Sequence, residues 1–246
     1  MIQTKFQDSE QKPILQSQLL QGEAGIEHYC SMRGFENAGD GVWMPRQVHG
    51  TEIVIVNEQT PYDPNIELQP VDADAVITQL KNQWIGVRTA DCVPVLLYDP
   101  KTGTVAAVHA GWRGTVKHIV KKVVQKLQTE FSVSPGDIRA MIGPSISPEA
   151  FEVGEEVAAL FEEESRGDCV IRKAFAPHGG YMHYKKPHID LWQSNAMDLM
   201  EAGVLLEHID CTPLCTVQNE DVLFSARKQG IETGRIVTAI KLVLEY

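Results

Sequence analysis

The residues with the clearest capacity for chemistry are His49 in Gln-Val-His-Gly, Cys92 in Thr-Ala-Asp-Cys and His109 in His-Ala-Gly-Trp-Arg-Gly. Each lies where an apolar run gives way to glycine, proline or an acidic residue. Two imidazoles and a thiolate suit zinc, and three protein ligands with an open fourth position is the catalytic form of such a site. The same trio also suits a Cys–His nucleophile pair. Their spacing is unlike that of zinc fingers or ribbons, so the fold has to bring three separate strand ends together.

The flanking residues add anion chemistry. Gly111 and Gly114 permit close approach of a ligand to the backbone, and the segment opens a helix whose first N–H groups are free. Arg113 supplies a planar cation suited to phosphate. A plain strand-to-helix turn with Thr115 as N-cap is the simpler alternative. A second candidate anion pocket combines Arg227 in Phe-Ser-Ala-Arg with Arg235 in Thr-Gly-Arg, or these are two solvated arginines beside a loop. Asp72 and Asp74 are candidates to orient the histidines from behind, or are simply turn residues. Asp91, next to Cys92, is a candidate acid or base.

The elements that must position these groups follow from hydrophobic periodicity. Val42–Val48, Glu52–Val56, Asp74–Thr78, Trp84–Val87 and Val93–Tyr98 are expected as strands, with a loop from Asn57 to Pro70. The Asp-Pro-Lys-Thr-Gly turn at 99–103 makes Val93–Tyr98 and Thr104–His109 neighbours. Apolar residues from Val116 to Phe131 recur at three- and four-residue steps with lysines outside, which predicts one long amphipathic helix. Ile138–Ile142 is a short strand. Gly154–Glu164 and Leu191–Ala202 are helices, the latter ended by Gly203. Leu205–Ile209, Val222–Ser225 and Ile236–Leu244 complete the expected strands. The first 40 residues are weakly patterned. With no repeat or composition break, residues 1–246 are expected to form a single mixed α+β domain, of α/β type, with a central mixed sheet flanked by helices.

The net charge of −11 argues against a nucleic-acid surface, which needs a basic stripe. No stretch approaches the ~20 apolar residues that span a bilayer, so no membrane partner is expected. The N-terminus lacks a signal-peptide pattern, and the five cysteines form a scattered, odd set. A cytoplasmic protein with reduced thiols is the expectation. Cys211 and Cys215 have no second close pair to complete a four-cysteine zinc site.

Beyond these residues the chain carries a series of short motifs in order. They are Gln-Val-His-Gly (47–50), Asp-Ala-Val-Ile-Thr (74–78), Thr-Ala-Asp-Cys-Val-Pro-Val-Leu (89–96) and His-Ala-Gly-Trp-Arg-Gly (109–114). Ile-Gly-Pro-Ser-Ile (142–146), Phe-Glu-Val-Gly (151–154), Asp-Leu-Trp (190–192) with Asn195, Cys-Thr (215–216), Phe-Ser-Ala-Arg (224–227) and Thr-Gly-Arg (233–235) follow. Over roughly residues 25–243 the sequence resembles the laccase-domain or polyphenol oxidase family, understood as zinc-dependent purine nucleoside phosphorylases and related to a Cys-His hydrolase-like superfamily.

The resemblance implies that His49, Cys92 and His109 bind zinc. It also implies phosphorolysis of adenosine, inosine, guanosine and methylthioadenosine to base and ribose 1-phosphate, with adenosine deamination alongside. Purine nucleosides and phosphate are then the partners, with Arg113, Gly111, Gly114, Arg227 and Arg235 contacting them. Cys92, His109 and Asp91 would carry the catalysis. Some members are associated instead with editing of peptidoglycan precursors, which makes a Cys–His amidase the alternative. The chain departs from the family pattern twice. The family's N-terminal Leu-Asn-Leu-Gly-like stretch and helix are cut to Ser31–Gly41, and Ala150-Phe151 stands where Cys-Tyr is common. Copper-dependent phenol oxidation is disfavoured, because multicopper sites rely on His-x-His pairs, although a site of two histidines and one cysteine can take copper in vitro. This chain has eight histidines and no such pair.

Overall fold

The computed structural model describes residues 4–6, 13–175 and 181–243. The strands in the first half of the chain are β1 (Thr4–Phe6), β2 (Pro13–Leu15), β3 (Ile26–Ser31), β4 (Val42–Trp43), β5 (Pro45–Arg46), β6 (Ile53–Val56), β7 (Gln69–Asp72) and β8 (Ala75–Thr78). They continue with β9 (Trp84–Thr89), β10 (Val93–Asp99), β11 (Thr104–Ala110), β12 (Arg139–Ile142), β13 (Val170–Phe175), β14 (Tyr181–Ile189), β15 (Ile209–Cys211) and β16 (Ile236–Leu242). The helices are α1 (Gln18–Gln21), α2 (Trp112–Val116), α3 (Ile119–Phe131), α4 (Glu155–Glu163), α5 (Leu191–Glu201) and α6 (Ala226–Gln229).

The mixed α/β class is as expected, but the strands divide between two six-stranded sheets. The first runs β1-β2-β3-β16-β9-β4 and the second β15-β12-β10-β11-β8-β6. Both are mixed: β4 joins β9 in parallel, and β6 joins β8 in parallel, whereas the central pairs are antiparallel. The sheets face one another through Val87, Leu96, Val105 and Ile240, and the other face of the second sheet packs on α3, α4 and α5. Strands β10 and β11 are therefore buried on both faces along their whole length. This is why they read as continuous apolar runs rather than as alternating ones.

Several expected elements differ. The helix expected across 116–131 is broken at Lys117–His118, where His118 takes a left-handed φ of 58°. The helix at the candidate anion segment is thus only the five residues of α2, and Thr115 lies inside it rather than capping it. Leu205–Ile209 is mostly a 3-10 turn, because Leu205 and Leu206 are exposed and offer no face to bury. Val222–Ser225 is a turn whose Ser225 caps α6 by accepting from the Lys228 N–H. Val42–Val48 splits into β4 and β5, leaving Val48 and His49 in a loop, and Pro70, expected in a loop, lies in β7. The last strand ends at Leu242, and Leu244 lies outside the described residues. Strand β3 and the β13–β14 hairpin went unpredicted; in β3, buried His28 between Ile26 and Cys30 disguises a regular alternation.

Candidate active site

His109 closes β11 and sits directly beside Asp74, which leads into β8. The two strands pair as Val108 with Ala75, and the His109 N–H extends the ladder to the Asp74 carbonyl at 2.7 Å. Strand alternation then turns both side chains toward the space between the sheets. Asp74 Oδ1 accepts from His109 Nδ1 at 2.7 Å. That bond leaves the His109 Nε2 lone pair for a ligand.

The same carboxylate builds the His49 turn. Its oxygens accept from the backbone N–H groups of His49 at 2.9 Å, Gly50 at 2.6 Å and Val48 at 3.3 Å. His49 itself has a left-handed φ of 60°, a conformation that costs a non-glycine residue energy unless other contacts hold it. Asp74 is fully buried and its carboxylate has four donors around it. Burial pushes its carboxyl pKa up, but the bonds from His109, Gly50 and His49 outweigh that and hold it below the usual range. Of the two aspartates expected to orient the histidines, Asp74 does so. Asp72 pairs with Arg46 instead.

Cys92 follows β9 at the turn into β10, and its sulfur completes the group. The donor atoms of His49, Cys92 and His109 all lie within 4.8 Å of one another. The two imidazoles meet edge to face with centroids 4.9 Å apart. Burial pushes the Cys92 thiol up, yet His109 beside it and hydrogen bonds from both imidazoles bring it down to about 6. Burial likewise opposes the charge on His109, and Cys92 with Asp74 raises it to about 9. Without a metal the pair is a thiolate beside an imidazolium.

The residues fit a metal ion. Their donor set is the soft, mixed N/S type that zinc takes, and Gly111 leaves it room. A Cβ on Gly111 would lie 3.1 Å from Cys92 Sγ and 3.2 Å from His49 Cδ2. Gly114 lets α2 approach the His49 turn, since a Cβ there would lie 3.1 Å from the Gly50 carbonyl. Arg113 is exposed at the start of α2 with its guanidinium over the Trp112 ring at 4.3 Å.

Asp91 adopts a φ of 96°, and its two oxygens accept from Thr216 Oγ1 and the Arg227 N–H, each at 2.6 Å. Arg227 is thereby tied to the residue next to Cys92, and its guanidinium donates to the Glu152 carbonyl at 3.0 Å. Arg235 is not brought to this group. Its guanidinium folds back on its own loop, donating to the carbonyls of Thr233, Gly234 and Ile231. It lines a cavity of about 720 Å³ with Arg88 and Phe224, and none of the three candidate ligands borders that space. Sequence reasoning gave no role to Gln47, whose side chain grips the Arg88 backbone at 2.8 Å in both directions, or to Thr216. Gln47 lies two residues from His49 and Thr216 follows Cys215, so motif position was their only signal.

A family profile described as multi-copper polyphenol oxidoreductase laccase matches residues 24–243. The chain belongs to this family. It is 37% identical over 215 residues to a purine nucleoside phosphorylase of Bacteroides thetaiotaomicron, covering 86% of this chain and 77% of that protein. It is 38% identical over 205 residues to adenosine deaminase RL5 from an unknown prokaryotic organism, covering 82% and 75%. The crystal structure of YlmD from Geobacillus stearothermophilus shares the fold with a TM-score of 0.78 at 24% identity, covering 97% of this chain and 99% of that one. The multi-copper description fits poorly here: among the described residues His49, Cys92 and His109 are the one group that could hold a metal ion.

Proposed function

We propose that this chain is a zinc-dependent purine nucleoside phosphorylase that also deaminates adenosine. Residues 1–246 are read as one domain acting in the cytoplasm, where five free thiols stay reduced. The observation that carries the reading is the convergence of His49, Cys92 and His109 on Gly111, with Asp74 holding both histidines from behind. The names of the relatives supply the substrate class.

His49, Cys92 and His109 would hold the zinc, which would supply Lewis-acid chemistry at the site. The chain's own residues do the rest. Asp74 fixes the tautomer of His109 and the turn of His49, so that both rings arrive oriented. Arg113 and Arg227 stand on the rim as cations for phosphate, with the Gly111–Gly114 backbone allowing close approach. Anion binding rests on these side chains more than on the helix terminus, because α2 has a single turn. No helix among the described residues is long and apolar enough to cross a membrane, and the acidic surface does not suit nucleic acid.

One observation also favours a second reading. A thiol lowered to about 6 beside His109 is the arrangement of a Cys–His amidase, which fits a peptidoglycan precursor. Metal content and acceptor separate the two. The phosphorylase reading expects about one zinc per chain, lost in Cys92→Ala, and ribose 1-phosphate as the product from inosine. Cleavage of a muropeptide amide that survives chelation, with no purine released from any nucleoside, would replace it with the amidase.

A further inference from the structure

Asp91 is the ionisable group nearest in sequence to Cys92, and acid catalysis is the obvious use for it. Its surroundings point elsewhere. Both carboxylate oxygens are engaged by the protein's own donors, Thr216 Oγ1 and the Arg227 N–H. Its carbonyl accepts from the Ile146 N–H at 2.9 Å, so the turn is also held from its backbone side. Three segments remote in sequence (145–152, 215–216 and 225–227) thus meet at one residue. The backbone there has a φ of 96°, which aspartate and asparagine tolerate better than most residues.

We propose that Asp91 is a positioning residue, a clasp that ties Arg227 to the Cys92 turn and so sets the anion affinity of the rim. The two ends of the clasp are held unequally. The Cys92 side leads into β10 and is also fixed by the Ile146 bond. Helix α6 is four residues long, capped by Ser225 and tied to Arg33 through Gln229 at its far end, so at its first turn the Asp91 bond is what holds Arg227 to the Cys92 side. Loss of the carboxylate therefore releases Arg227 and leaves Cys92 in place. The guanidinium of Arg227, held by the Glu152 carbonyl and 5.3 Å from the Phe151 ring centroid, moves with its backbone. The effect on phosphate rests on the phosphorylase reading above; the clasp itself does not.

Asparagine and glycine substitutions separate the alternatives. Asp91→Asn keeps the clasp, because its amide oxygen accepts from the Arg227 N–H and its NH2 donates to a reversed Thr216 hydroxyl. It cannot act as an acid. Asp91→Gly relieves the left-handed backbone and removes the clasp. With zinc content near wild type in both, Asp91→Asn is expected to keep turnover within about threefold, short of the loss of roughly 10²–10⁴ expected for a missing general acid. Asp91→Gly is expected to raise the KM for phosphate about tenfold, the size of a lost charge-assisted contact, with kcat at saturating phosphate little changed.

Amide hydrogen exchange over residues 225–230 reads the clasp without any assay of activity. The Arg227 amide should be protected in the wild type and Asp91→Asn, and lose protection about tenfold or more in Asp91→Gly. Arg227→Ala should raise the phosphate KM to a similar extent, and combining it with Asp91→Gly should add little. A hundredfold loss of kcat in Asp91→Asn with metal retained would make Asp91 the acid and overturn the proposal. Unchanged exchange in Asp91→Gly would overturn it as well. If the wild type has no phosphate-dependent activity, the phosphorylase reading fails and the exchange measurement still decides the clasp.

Discussion

Asp74 Oδ1 receives the Nδ1 proton of His109 at 2.7 Å, and the same oxygen receives the His49 N–H at 2.9 Å. One buried carboxylate therefore orients two of the three candidate metal ligands, one through its ring and the other through its backbone. Asn in its place can still accept both of these bonds through its amide oxygen, although its NH2 cannot accept from Gly50, whereas Ala loses all of them. Asp74→Ala should weaken zinc about 10- to 100-fold, as loss of an outer partner of a metal-bound histidine does, and Asp74→Asn should weaken it less. Competition with a chromophoric chelator measures this, and an unchanged affinity would deny Asp74 its orienting role.

Gly111 makes a steric prediction. Its φ of −66° suits any residue, so Gly111→Ala brings no backbone strain, only a methyl group beside Cys92 Sγ and His49 Cδ2. The metal-free protein should unfold within about 1 kcal/mol of wild type. Zinc affinity and nucleoside cleavage should both fall. Full zinc with full activity in this variant would show that the approach to the ligands lies on another side.

How much of this was legible beforehand differs from residue to residue. His49, Cys92 and His109 stood out because chemically capable side chains interrupt apolar runs, and strands β8, β10 and β11 were readable from those runs. Asp74 was visible only as one of two equivalent aspartates. What separates it from Asp72 is the sheet each joins: Asp72 ends β7 and pairs with Arg46 of β5, whereas Asp74 leads into β8 and lies beside His109 of β11. The break at His118 could not be read, because the apolar spacing runs unbroken across it. Its left-handed turn places the His118 ring against Asp198 of α5 at 2.8 Å, a contact from far along the chain. The division into two sheets was hidden for the same reason: β3 and β9 flank β16, the last described strand.

His28 makes the fold sensitive to acid. It is buried in β3, where Nε2 accepts from the Ser17 N–H at 2.9 Å, and burial lowers its pKa to about 4 despite the opposing pull of Asp210. The ring must be neutral in the native state. Its contribution is fully present above the unfolded value of 6.5 and is lost as pH falls from there through about 4. The loss amounts to about 3 kcal/mol at most. Denaturant unfolding of metal-free protein at pH 7, 5.5 and 4.5 should show this decline, and His28→Gln should flatten it. Parallel declines in the two proteins would assign the acid sensitivity to other groups.

Arg113→Ala tests whether the rim serves phosphate. Arg113 is exposed two residues after Gly111 and rests on the Trp112 ring at 4.3 Å, so its removal leaves the core intact. A charge-assisted contact to an anion is worth about 1.5–3 kcal/mol, or roughly ten- to hundredfold in the phosphate requirement. Adenosine deamination uses water and needs no phosphate, which makes it the internal control within one protein. The expected outcome is a raised phosphate KM for inosine cleavage, with the rate of inosine formation from adenosine changed by less than threefold. Equal loss of both activities would move Arg113 from the phosphate to a contact shared by all substrates, and the anion pocket would then fall to Arg227 alone.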